Sequence, residues 1–144
     1  MSAPQPYAVI SCDLDTVDRH LQGYGFEGLP PCDRIYRTAV PRLLELFEAL
    51  EVPGVLFTIA RDAESERGLL RAAVAAGHEV ASHSLTHPQP FRTLSDAALR
   101  EEIRTSRARL TEARSGPIAC SRGAIAAAMR TASLTFPAPY AAEA

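Results

Sequence analysis

The chain has 144 residues, of which 47% are hydrophobic and 22% are charged, and its formal net charge is −2. This length and composition predict one globular domain with a real core and exclude an intrinsically disordered chain. A charge so close to zero excludes the strong basic footprint of proteins that bind nucleic acid or anionic membranes, so we expect a small or neutral molecule as the partner.

Short apolar runs alternate with amphipathic segments along the chain. In chain order they predict a strand at 7–14, a loop rich in glycine and proline at 23–33, a helix at 39–52, a strand at 54–60, a helix at 65–77, a strand at 78–82 and a helix at 95–113. Strands that alternate with helices through short connections predict an α/β fold with a parallel sheet or barrel of βα units. We predict Ser65 and Ser95 as helix N-caps and Gly77 as a helix end.

The cellular setting follows from the cysteines and from the first residues. Cys12, Cys32 and Cys120 are odd in number and widely spaced, which is typical of reduced thiols rather than of a disulfide framework. We see no signal peptide at the start and no apolar run long enough to span a membrane. We therefore expect a cytoplasmic protein that does not contact the membrane.

Candidate chemistry collects where two predicted strands end. Asp13 and Asp15 lie two residues apart at the end of the first strand, and His83 and His87 follow the third. Residues i and i+2 of a strand face the same side, and the carboxyl ends of parallel strands share one edge of a sheet. One carboxylate with two imidazoles is a nitrogen and oxygen ligand set for a catalytic divalent metal such as zinc, and the other aspartate would serve as a base.

Each of these patterns is weak by itself, and an α/β domain with histidines placed by chance is the alternative interpretation. Ser84 and Thr86 lie between the two histidines and can supply hydrogen bonds that orient a ligand imidazole.

We expect His78, inside the short third strand, to pack in the interior or support the site. We expect His20, in a predicted turn, to be exposed or to line the pocket. Arg61 and Asp62 follow the second strand and can reach the rim of the site.

Two segments carry a resemblance to a known family. The sequences SCDLDTV (11–17) and GHEVASHSLTHP (77–88) resemble the polysaccharide deacetylase family, the NodB-homology domain of carbohydrate esterase family 4. The histidine motif of that family, His-Ser/Thr-x-x-His, is matched by His83 to His87. Its aspartate motif is matched in a form split by one residue, which resembles a branch that includes intracellular deacetylases and cyclic-amide hydrolases.

The resemblance implies a fold, a ligand set and a reaction. The fold is part of a distorted (β/α) barrel of the glycoside hydrolase and deacetylase type. Asp15, His83 and His87 would hold a divalent metal, usually zinc, with cobalt or another divalent ion as alternatives, and Asp13 would be the general base toward water. The implied reaction is the hydrolysis of a non-peptide carbon–nitrogen bond, most simply the N-deacetylation of a sugar monomer, oligosaccharide or polysaccharide.

The chain departs from the family pattern after the histidine motif. An Arg-x-Pro motif and a later histidine are expected there, but Arg122 is followed by Gly123 without the proline, and no histidine follows His87. We therefore predict one partial domain over 1–144, truncated at its C-terminal end, with an atypical segment at 115–144. A frame slip near residues 114–122 is one hypothesis for that segment.

Three functions remain open at this point: a sugar deacetylase, an intracellular hydrolase of a cyclic imide or allantoin-like substrate, and an inactive remnant that binds metal. The oligomeric state is also open.

Overall fold

The computed structural model describes residues 9–88 and 90–114, and the described part is built on one three-stranded parallel sheet. The strands are β1 (Ile10–Leu14), β2 (Gly54–Thr58) and β3 (Glu79–Ser82), in the spatial order β1-β2-β3. Leu14 lies opposite Thr58, and Thr58 lies opposite Ser82. The three carboxyl ends therefore meet at one edge of the sheet, as predicted for parallel βα units.

Helices connect and follow the strands. They are α1 (Val17–Gln22), α2 (Val40–Ala49), which continues from a π-helical turn (Ile35–Ala39), α3 (Arg67–Ala75) and α4 (Asp96–Arg114), with a short 3-10 turn at Phe91–Thr93. The sequence predicts α2, α3 and α4 but places a turn where α1 lies, because six residues are too few to show a helical period. No helix in the described ranges is long and apolar enough to cross a membrane.

The helix ends test three predictions. Ser95 caps α4, since its hydroxyl accepts a hydrogen bond from the N–H of Ala98 at 3.3 Å. Gly77 follows α3 with a φ of 91°, the left-handed geometry that favours glycine at a helix end. The prediction for Ser65 is wrong: α3 begins at Arg67, and the Ser65 hydroxyl instead donates to the carbonyl of Asp62 in the preceding turn.

Two clusters of buried side chains hold the helices against the sheet. In the first, Phe47 of α2 packs with Leu14 of β1 and Leu56 of β2. In the second, Leu70 of α3 and Leu110 of α4 pack with Val80 of β3. Burying a large aliphatic or aromatic side chain contributes about 1.5–3 kcal/mol, so these contacts fix the positions of the strand ends.

His78 belongs to the packing at the amino end of the sheet, as predicted. It is 7% exposed, its Nδ1 accepts a hydrogen bond from the N–H of Gly54 at 3.1 Å, and its ring centroid lies 5.3 Å from that of Phe47. A Cβ on Gly54 would lie 2.3 Å from the Phe47 ring. The histidine, the glycine and the phenylalanine together align the starts of β2 and β3.

Candidate metal centre

Four predicted side chains converge at the carboxyl edge of the sheet. Asp13 lies in β1 and Asp15 directly follows it, while His83 and His87 lie in the loop after β3. The Nε2 atom of His83 lies 3.3 Å from Oδ1 of Asp15 and 4.0 Å from Oδ2 of Asp13. The Nε2 atom of His87 lies 3.9 Å from Oδ1 of Asp15. The structure therefore brings together both aspartates and both histidines.

Three of these residues form a compact set of donor atoms. One ligand atom from each of Asp15, His83 and His87 lies within 4.8 Å of the other two. Their side chains are 18%, 25% and 17% exposed, whereas that of Asp13 is 58% exposed. The two imidazole centroids are 4.7 Å apart. The set is sheltered but reachable, and the more accessible carboxylate lies beside it.

The donor set fits a divalent cation. Oδ1 of Asp15 and Nδ1 of His87 are buried, and within residues 9–88 and 90–114 neither has a hydrogen-bond partner of good geometry. Buried polar atoms without partners are costly, and a cation bound to the carboxylate oxygen would remove that cost for Asp15. Two imidazoles and one carboxylate suit zinc and leave a coordination position free.

The surroundings shift the pKa values of the three residues in different directions. The neighbouring imidazole of His83 holds the pKa of Asp15 below its usual range, against the opposing effect of burial. Burial acts to lower the pKa of His83, but its contact with Asp15 and the charge of Asp13 outweigh burial and raise it. Burial lowers the pKa of His87, and the charge of Asp15 does not offset this. Asp15 is thus kept ionised and His87 is kept neutral, the forms in which each can bind a metal.

The loop between the histidines has an unusual backbone. Ser84 and His87 have φ values of 66° and 55°, in the left-handed region that residues other than glycine rarely adopt. The hydroxyl of Ser84 accepts a hydrogen bond from the N–H of His87 at 3.0 Å, and the carbonyl of Ser84 accepts one from the N–H of Ala60. Ser84 therefore supports the site by bonding the main chain of His87 and Ala60, whereas the sequence predicts a bond to an imidazole ring.

Arg19 and Asp62 form a largely buried ion pair behind this loop, and the sequence does not predict it. Arg19 donates to Oδ1 of Asp62 at 3.1 Å and to the carbonyl of Thr86 at 3.3 Å. The hydroxyl of Tyr36 donates to Oδ2 of Asp62 at 3.4 Å. Burial raises the pKa of Asp62, and the Arg19 guanidinium opposes that shift. No local pattern indicates the pair, because its members are 43 positions apart.

The remaining predicted residues lie around the rim. His20 is exposed, and its Nδ1 lies 3.9 Å from Oδ2 of Asp15, so it lies at the edge of the site. Arg61 is exposed, and its main-chain N–H donates to the carbonyl of Leu85. Asp62 lies beneath the loop with Arg19 rather than at the rim.

The domain is of the α/β class and is built from parallel βα units. A set of nitrogen and oxygen donors from three residues lies at the carboxyl edge of its sheet. A family model described as polysaccharide deacetylase matches residues 31–140, and the chain belongs to this family. The match begins after Asp13 and Asp15, includes His83 and His87, and continues past residue 114 into the segment outside the described residues.

Two curated relatives and one solved structure illustrate the similarity. The chain is 34% identical over 85 residues to a peptidoglycan deacetylase of Helicobacter pylori, over 55% of this chain and 28% of that protein. It is 42% identical over 48 residues to a chitooligosaccharide deacetylase of Sinorhizobium fredii, over 33% of this chain and 22% of that protein. The matched part thus spans less than a third of either relative.

The crystal structure of the Puue allantoinase superposes with a TM-score of 0.62 at 22% sequence identity, over 76% of this chain and 43% of that one. This likeness shows the fold, and it confirms the predicted class in which parallel βα units form part of a larger barrel.

Proposed function

We propose that this chain carries the metal ligands and the general base of a hydrolase that removes acetyl groups from N-acetylated sugars in oligosaccharides or polysaccharides. One observation carries the proposal: Asp15, His83 and His87 present donor atoms within 4.8 Å of one another, and Asp13 lies 4.0 Å from His83. The substrate class is supported by the relatives named peptidoglycan deacetylase and chitooligosaccharide deacetylase.

Asp15, His83 and His87 are the residues that would hold the metal, with zinc as the first expectation from the donor set. A divalent cation in this position supplies Lewis acidity, which polarises an amide carbonyl and lowers the pKa of a water. The lowered pKa of Asp15 keeps its carboxylate charged for this task.

Asp13 has the position and exposure of a general base. Its carboxylate faces His83 but is 58% exposed, so a water molecule can reach it. It would take a proton from the water that attacks the acetamido carbonyl, and the protonated carboxyl could then deliver that proton to the leaving nitrogen. The two aspartates thus divide the work by environment: the sheltered one binds the metal and the exposed one moves the proton.

Metal content and acetate release, measured on the same preparations, test this proposal. The wild-type chain is expected to bind about one zinc per chain, as a catalytic site with three protein ligands requires, and to release acetate from N-acetylglucosamine oligomers. Asp15→Ala should lose both properties. Asp96→Ala, at an exposed aspartate in the first turn of α4, is the matched control and should keep both. A wild-type chain without bound metal would overturn the proposed site.

A second candidate is the hydrolysis of a cyclic amide. It is favoured by the form of the aspartate motif, since Asp13 and Asp15 are separated by Leu14 as in the branch described above. Adding allantoin to the substrate panel separates the two, because ring opening releases no acetate. Bound zinc with neither reaction would identify a chain that assembles the site without turnover.

A further inference from the structure

Glu102 of α4 reaches the loop that carries the two histidines. Its Oε2 accepts hydrogen bonds from the N–H of Leu85 at 2.9 Å and from the N–H of Thr86 at 3.0 Å. Its Oε1 accepts a third from the hydroxyl of Thr86 at 2.7 Å. One carboxylate therefore binds two consecutive main-chain donors and a side chain in the middle of the loop.

The same two loop residues are held from the other side by their carbonyls. Arg19 donates to the carbonyl of Thr86 at 3.3 Å, and the N–H of Arg61 donates to the carbonyl of Leu85 at 3.0 Å. The loop thus lies between a carboxylate that accepts hydrogen bonds from its N–H groups and two donors that bond to its carbonyls. Hydrogen bonds to a charged acceptor are stronger than those between neutral groups, so Glu102 supplies a large share of this restraint.

The loop needs such a restraint because of its strained backbone. Left-handed φ values at residues other than glycine are strained and persist only where neighbouring groups enforce them. Ser84 and His87 both have such values, and Leu85 and Thr86 lie between them. Without the bonds to Glu102, the loop could relax and turn His87 away from Asp15.

We propose that Glu102 is a positioning residue that sets the geometry of His83 and His87 for metal binding. The inference rests on the proposed function, because it concerns the ligands of the same site. Glu102 is half-buried, and its contacts with Leu85 and Thr86 join positions 16 and 17 residues apart. Glu102 would act on the histidines through the loop main chain, because its hydrogen bonds go to Leu85 and Thr86.

Glu101 provides a matched control one position earlier in the same helix. Its side chain is 52% exposed and pairs with Arg104 and Thr105, both on its own helix. A substitution there changes the same charge on α4 without touching the loop.

Zinc affinity, measured by competition with a chromophoric chelator, tests the proposal together with the visible spectrum of the cobalt-substituted chain. Glu102→Ala should bind zinc about 10–100-fold more weakly, the usual loss when a group that orients ligands is removed. The cobalt bands should shift, because the ligand geometry changes. Glu102→Gln should restore most of the affinity, since its amide oxygen can accept both N–H groups and its amide nitrogen can donate to the Thr86 hydroxyl. Glu101→Gln should match the wild type.

Wild-type affinity in Glu102→Ala, or no rescue by glutamine in a folded variant, would overturn the proposal. If Glu102→Ala does not fold, Thr86→Val decides, because it removes one of the three bonds to Glu102. Zinc binding weaker than that of the wild type supports the proposal, and wild-type affinity overturns it. Absence of zinc from the wild type would instead overturn the proposed metal site. In that case amide hydrogen exchange at Leu85 and Thr86 in the metal-free chain decides: faster exchange in Glu102→Ala than in the wild type and in Glu101→Gln supports the positioning role, and equal exchange refutes it.

Discussion

The two ends of β3 place histidines in opposite surroundings. His78, at the amino end, is 7% exposed, accepts a hydrogen bond from Gly54 and packs on Phe47. His83, just past the carboxyl end, is 25% exposed and lies within 4.0 Å of two carboxylates. The ring nitrogen of His78 accepts a hydrogen bond from the protein, whereas the ring of His83 faces two negatively charged carboxylates.

The difference shows that a short strand can separate a structural histidine from a proposed metal ligand. The amino ends of β2 and β3 are closed by packing, so an imidazole there serves as a hydrogen-bond acceptor in the core. The carboxyl edge instead carries the charged side chains, and this is the edge at which ligands bind in open α/β sheets. Substitutions at the two ends should therefore affect different properties.

His83→Ala should have the largest effect on metal binding. Removing a ligand should reduce zinc affinity by more than the roughly 10–100-fold loss seen when only a supporting group is removed. Metal content after dialysis, measured beside His78→Ala, checks this. Zinc retained by the His83 variant would show that His83 is not a metal ligand and does not differ from His78 in this respect.

Asp13→Asn should lower the rate of acetate release by about 10²–10⁴-fold, the usual contribution of a general base. Zinc content should stay at the wild-type value, because the ligand set is intact. Rate and metal content measured on one sample separate this outcome from a loss of the metal. An unchanged rate would assign the proton transfer to another group.

His78→Ala should lower the free energy of unfolding and leave metal binding intact. The N–H of Gly54 loses its acceptor in a buried setting, which costs about 1–3 kcal/mol, and the contact with Phe47 is lost as well. Urea unfolding measures the change. His78→Asn, which keeps an acceptor oxygen near the position of Nδ1, should recover part of it; no difference between alanine and asparagine would show that packing alone matters.

The pH dependence of zinc binding should show the smallest and most gradual effect. Metal binds the neutral imidazole, and the pKa of His83 is raised above its ordinary value, so protons compete at a higher pH than for a free histidine. Below that raised pKa, affinity should fall about tenfold per pH unit, as expected for the release of one proton. The pKa of His87 is lowered, so this second histidine should bind a competing proton only at more acidic pH. Affinity that stays constant down to the ordinary histidine pKa of about 6.5 would contradict this order.

Periodicity predicted much of the fold because it samples many residues at once. The apolar runs of β1, β2 and β3 and the amphipathic faces of α2, α3 and α4 were each visible over several residues, and their order implied a parallel sheet. The six residues of α1 are too few to show a helical period. The prediction of Ser65 as a helix cap is wrong because the sequence pattern does not show which carbonyl its hydroxyl will meet.

The sequence by itself determined the candidates for chemistry: two aspartates at one strand end, two histidines after another, and an alternation that puts both at the same edge. It also separated His78 from the pair by its position at the start of a predicted strand. Only the tertiary structure decided how these residues are held. The pairing of Arg19 with Asp62 and the bonds of Glu102 to Leu85 and Thr86 join parts of the chain that are distant in sequence. The physical reason is that hydrogen bonds depend on distances of about 3 Å, which packing sets and no local pattern records.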